Sequence, residues 1–291
     1  MNQTELKALI SLLDDPDEKI YFEIREKIRS IGQEVIPLLE SAWENSFDSL
    51  LQNRVENLIH KIHFESIQQA LRIWNRTGGK DLLEAAILIA RYQYPDLNEK
   101  KLRAHIDQIR NDIWLELNAN LTALEKVKVI NHILFDVHMF SGNTQNFHAP
   151  QNSYINNVLE SKKGNPLSLS IVYAVLAQGL NIPIFGVNLP EHFILAYIED
   201  GIGISENREN HSSQVLFYIN PFSKGSAFSY KEIDAFLKQL NLKSDKIYYQ
   251  PCSNIDIVSR LIRNLIFSFE KLGYSDKSEE MQALLSCLSN E

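Results

Sequence analysis

Apolar residues recur at helical spacing along most of this chain, and gather into short unbroken runs in one stretch only. Leu6, Leu9, Ile10 and Leu13 predict a first helix over Glu5 to Leu13. Asp14-Asp15-Pro16-Asp17 stops it and offers caps for a second, in which Ile20, Ile24, Ile28 and Ile31 recur turn by turn up to Gly32. A third, Glu34 to Trp43, carries Pro37 in its first turn, where a missing N–H is tolerated. Leu50 to Trp74 continues helical on Val55, Leu58, Ile59, Ile62 and Ile67. Thr77-Gly78-Gly79 then breaks the pattern. Helices follow over Leu82 to Tyr92, over Glu99 to Leu117, and from Thr122 through His138. The last of these opens on the capping box Thr122-x-x-Glu125.

Asn152 to Tyr197 is the stretch around which the rest is organised. Asn152 to Lys163 predicts a short amphipathic helix that Gly164 ends. Pro166 opens the next, Leu167 to Leu180, which is apolar almost all round and therefore buried. Ile184 to Leu189 and His192 to Glu199 read as buried strands joined by a Pro190-Glu191 corner. Beyond them, Asp200 to Gln214 is a polar loop, Val215 to Ile219 a strand and Tyr230 to Leu240 a helix. Ile247 to Tyr249 is a candidate edge strand. Asn254 to Leu272 and Glu279 to Leu288 predict a closing helical pair around Gly273. The fold class is α+β and helix-rich, with a buried helix on a small antiparallel sheet. It divides as a helical segment 1–77, a core domain 78–250 and a C-terminal hairpin 251–291.

A helix tip facing a strand that begins with histidine is the layout of thiol enzymes: the helix end favours an anion and the imidazole serves as base. The motifs sharpen this. Asn152-Ser153-Tyr154, Gly164-x-Pro166-x-Ser168-Leu169, Gly186-Val187, Pro190-x-His192-Phe193 and Tyr218-Ile219-Asn220-Pro221-Phe222 together resemble the SirB-type transglutaminase-like family over roughly Leu82 to Gln250. That family is bacterial, and its core domain also occurs in a eukaryotic F-box protein. The first three helices resemble one HEAT-type repeat and the closing pair one tetratricopeptide-type hairpin, as flanks of that core.

The resemblance implies catalytic positions and also a departure. Working transglutaminases carry Gly-x-Cys at the start of the buried helix, then a His, then an Asp on successive strands. Here those positions read Gly164-Asn165-Pro166, His192 and Asn220. Proline offers no nucleophile, so thiol catalysis at that position is excluded. His192 is then either a functional partner left in a cleft or a hydrogen-bonded packing residue. Ser168 is a conceivable serine nucleophile with His192 as base and Asn220 as orienter. It lies two residues, about 200° around a helix, past the nucleophile position, where a capping or packing hydroxyl is the ordinary reading.

Other constellations carry less. His132, Asp136 and His138 on one helix, and His60 with His63, do not complete a metal site, and no cofactor motif is present; Gly78-Gly79-Lys80-Asp81 lacks the spacing of a phosphate loop. Cys252 and Cys287 make no disulfide framework, although Cys252 could in principle swing toward the cleft. Tyr154 and Phe222 are the aromatic residues placed beside the candidate site.

The net charge of −8 argues against nucleic acid or an anionic membrane as partner. No run spans a membrane and the N-terminus lacks a leader pattern, which together point to the cytoplasm. The reading that follows is a non-catalytic transglutaminase-like protein that binds a protein or peptide through the cleft at Pro166, His192 and Asn220. The alternatives are an amide hydrolase or acyltransferase that uses Ser168 or an activated water with His192, and a structural subunit of a larger assembly.

Overall fold

The structure, a computed structural model, describes residues 3–146, 149–199 and 215–289, so the polar loop Asp200 to Gln214 lies outside the described residues. The chain forms two compact units, Met1–Arg72 and Ile73–Glu291.

In the first unit α1 (Gln3–Ser11), α2 (Glu18–Arg29), α3 (Ile36–Glu44) and the start of α4 (Ser49–Arg76) enclose Leu13, Ile28, Val35, Leu39 and Val55. Asp17 caps α2 by accepting the Lys19 N–H. A 3-10 turn over Gly32–Val35 takes the place of the predicted first turn of the third helix. Arg54 is buried here without loss: its guanidinium donates to Leu13 O, Asp15 O and Glu18 Oε1 at 2.7–2.9 Å and stacks 3.9 Å above the Tyr21 ring.

The second unit begins with α5 (Leu82–Gln93), α6 (Glu99–Glu116) and α7 (Ala123–Asn131); Asp81 and Asn98 cap the first two, and the expected Thr122–Glu125 box caps the third. The helix predicted to run on to His138 instead widens into a π-turn over His132–Val137. That turn buries three consecutive residues, Ile133, Leu134 and Phe135, which a single stripe of a regular α-helix does not allow. Next come α8 (Ile155–Ser161) and α9 (Pro166–Gly179), whose residues from Pro166 to Ala177 are all buried.

Four antiparallel strands follow in spatial order β3 (Ile184–Asn188), β4 (Phe193–Ile198), β5 (Val215–Asn220), β6 (Ser226–Phe228). A separate parallel pair, β1 (Ser141–Gly142) and β2 (Lys163–Gly164), lies ahead of α9. Every residue of β4 is buried, which explains its unbroken apolar run. Ile194 and Ala196 join Val187, Tyr218, and Ile233 and Leu237 of α10 (Tyr230–Gln239) in one cluster. Strand alternation therefore turns Phe193, Leu195 and Tyr197 to the opposite face, where α9 packs. The segment expected as an edge strand at Ile247–Tyr249 is a 3-10 turn, because Asp245 accepts the Ile247 N–H and draws the backbone out of a ladder. β6 holds the edge instead.

The chain ends in α11 (Asn254–Leu272) and α12 (Ser275–Ser286), turned at Gly273 with its left-handed φ of 78°. α11 packs on α5, α9 and β3 through Ile257, Val258, Leu261, Ile262 and Leu265, within the same compact unit as the sheet. Among the described residues no helix is long and apolar enough to cross a membrane.

Candidate functional site

The tip of α9 is held by a network that the sequence motifs encode. Asn165 is the N-cap: its Oδ1 accepts the Ser168 N–H at 2.8 Å, and Ser168 Oγ accepts the Asn165 N–H at 3.0 Å. The Asn165 amide also donates to Ser153 Oγ at 3.2 Å, tying the first motif to the second. Asn152 in turn donates to Asn146 O at 2.6 Å and accepts from Asn143 at 2.9 Å. Asn143 N–H closes the frame onto Gly164 O at 2.8 Å. A Cβ on Gly164 would lie 2.5 Å from Ser168 Oγ, so the glycine makes room for the cap. Pro166 is the first residue of the helix, where its missing N–H costs nothing.

His192 arrives from the other side on a tight corner. Its N–H donates to Pro190 O at 2.6 Å across Glu191, which holds a φ of 57°. This is the strained, positive-φ form of the γ-turn, and it places the imidazole just before β4 rather than within it. Burial holds the His192 ring below the ordinary histidine value. Asn220, within hydrogen-bonding range, pulls the other way, and the Arg260 charge adds to the depression. Asn220 ends β5 and accepts the N–H groups of Phe222 and Ser223 at 3.1 and 3.3 Å, which fixes its side chain.

Pro166 and His192 face one cleft of about 590 Å³, which Ser153, Asn165, Arg260 and Asn264 also line. A half-buried neutral imidazole, a buried serine hydroxyl and an arginine are its chemical equipment. Such a set binds and orients polar groups; no cysteine lines the cleft. Asn220 stands behind His192, outside the lining. Ser168 is 2% exposed, with its hydroxyl engaged by Asn165, and it too is absent from the lining.

The remaining candidates fall elsewhere. Cys252 lies against β3, its N–H donating to Gly186 O at 2.7 Å. Tyr154 is buried with a hydroxyl that finds no hydrogen bond among the described residues, and Phe222 lies against Gly142. His138 Nε2 is 2.7 Å from Asp112 Oδ2, whereas His132 only approaches Asp136 at 3.4 Å. His60 stacks near Phe64. Among the described residues no three His, Cys, Asp or Glu side chains gather as a metal site.

Sequence reasoning missed Arg260 and Asn264. They occupy one side of α11 one turn apart, and the only local hint is an arginine flanked by buried Val258 and Leu261.

A buried, proline-tipped helix, an antiparallel sheet entered through histidine, and an asparagine closing the next strand define a transglutaminase-like core. Residues 100–263 match the transglutaminase-like superfamily, and the chain belongs to it. The match reaches into α11, so it includes Arg260. A UPF0162 protein of Xylella fastidiosa strain Temecula1 is 34% identical over 145 residues, which cover 46% of this chain and 50% of that protein. The UPF0162 protein of strain 9a5c is 28% identical over 214 residues, 68% of this chain and 70% of the relative. Human F-box only protein 21 is 26% identical over 182 residues, 54% of this chain and 28% of its own. No solved structure matches the chain.

Proposed function

We propose that this is a non-catalytic member of the SirB-type branch, cytoplasmic, which binds a protein or peptide segment in the cleft lined by Pro166 and His192, with Asn220 behind the imidazole. The observation that carries the reading is Pro166 at the helix tip, lining one cleft with His192. A transglutaminase needs a nucleophile there, and proline has none. Ser168 does not replace it, because its hydroxyl serves the cap. What the cleft retains is recognition equipment: an oriented imidazole, amides and a guanidinium. The helical flanks, read as HEAT-like and tetratricopeptide-like, are proposed as further surfaces for the same partner.

A fluorophosphonate probe tests the choice against the serine hydrolase. We expect no labelling of the purified protein under conditions that label a control hydrolase. Labelling at Ser168 that disappears in both Ser168→Ala and His192→Ala would replace binding with hydrolysis.

A further inference from the structure

We infer that Arg260 makes this cleft a receptor for a carboxylate, so that the segment it binds presents either its C-terminal carboxyl group or an acidic side chain. The inference rests on the binding reading of the cleft and adds its ligand chemistry.

Arg260 uses only part of its donor capacity. Nη1 donates to Asn188 Oδ1 at 2.9 Å and to Leu189 O at 3.4 Å, bridging α11 to the end of β3. Those bonds fix the guanidinium plane. Nε and Nη2 make no hydrogen bond among the described residues, and the residue lines the cleft. A half-buried arginine ordinarily finds a carboxylate, because removing its charge from water is costly. This one has none. Glu191, on the rim, is exposed and makes no ion pair among the described residues. Along α11, Asp256 lies one turn before Arg260 with its carboxylate engaged by the Ser253 N–H and hydroxyl at 2.9 and 2.7 Å, and Arg263 is another cation. His192 is close enough to feel the Arg260 charge, and burial holds its ring below the ordinary histidine value.

The cleft thus holds one pre-oriented guanidinium edge without its anion. A planar fork with two free donors matches the two oxygens of a carboxylate. A single guanidinium beside an acidic rim suits a monoanion better than a phosphate dianion. Asn264 follows one turn later on the same face, and its amide makes no hydrogen bond among the described residues. It is placed to pair with the peptide group adjoining a bound carboxylate. Arg260 and Asn264 on α11 line the same cleft as Pro166 and His192, so a ligand carboxylate would enter among these four.

N-acetyl-alanyl-alanine, its C-terminal amide, and N-acetyl-aspartic acid α-amide test this when titrated into isotope-labelled full-length protein. Binding is read from the Arg260 Nε–H and His192 ring resonances. We expect a free carboxylate to shift both, and the better acid to bind at least about tenfold more tightly than the neutral amide. Whichever acid wins distinguishes a chain terminus from an acidic side chain as the source. Arg260→Gln should abolish the preference and Arg260→Lys should retain part of it. Arg263→Gln should leave it unchanged. Should Arg260→Gln fail to fold, the acid–amide comparison on the native chain still decides. Equal binding of acid and amide would overturn the carboxylate assignment while leaving the cleft a binding site. Absence of any shift in cleft residues would overturn both.

Discussion

Pro166 occupies the first position of α9, and its neighbours tell whether a sulfur would be activated there. A helix N-terminus favours a thiolate, and His192 shares the cleft. Pro166→Cys should therefore create a thiol with a pKa below the ordinary ~8.5. Iodoacetamide alkylation as a function of pH measures it, with His192→Ala moving the profile back toward the free thiol. An unshifted profile would mean that Pro166 does not occupy the nucleophile's place. Titration of His192 by NMR should give a value below ~6.5, the ordinary histidine value, since burial disfavours the charged ring. Arg260→Gln removes one cause of the depression and should raise it. At this scale the sequence pointed to Pro166, His192 and Asn220 because each sits in a motif; the structure brings Pro166 and His192 to one cleft and leaves Asn220 behind it. Arg260 and Asn264 were not legible. An arginine on an amphipathic helix looks solvent-facing until tertiary packing turns it toward a cleft, and no spacing rule encodes that.

Among the elements, the cap of α9 concentrates the most local structure. Asn165→Ala removes the acceptor of the Ser168 N–H and the donor to Ser153 together. The cap alone is worth about 1 kcal/mol, and a buried hydroxyl left short of its partner adds to the loss. Gly164→Ala forces a methyl onto Ser168 Oγ and should cost about 1–3 kcal/mol, read as a lower denaturant midpoint at constant m-value. Leu261→Ala in α11, 1% exposed, should cost about 2–5 kcal/mol, because α11 is one wall of the core and not an appendage. Most helices were readable from their period, and two also from caps, since Asp17 and Thr122 each bond the backbone they precede. The π-turn at His132–Val137 and the turn at Lys246–Tyr248 were not. In both, packing or one competing side chain overrode a pattern too short to decide.

At the scale of the molecule, pH should act through the histidines. His192 and His105 both have folded values below the ordinary one, each chiefly through burial. The unfolded chain then binds more protons in the window between the lowered values and ~6.5, so stability falls as pH drops through it. A thermal midpoint that declines from pH 7 toward pH 5, less steeply in His192→Gln, would bear this out. The α+β class followed from one short apolar stretch among many amphipathic ones, whereas the pairing order of the strands emerged only in three dimensions.

Amine incorporation and peptide-bond cleavage by the purified full-length protein, followed by mass spectrometry beside an active transglutaminase, test most directly whether this architecture has outlived its reaction. We expect no turnover above a buffer control, and the same result for His192→Ala. Turnover by the native chain that disappears when His192 is replaced would contradict the reading of Pro166 as the end of catalysis.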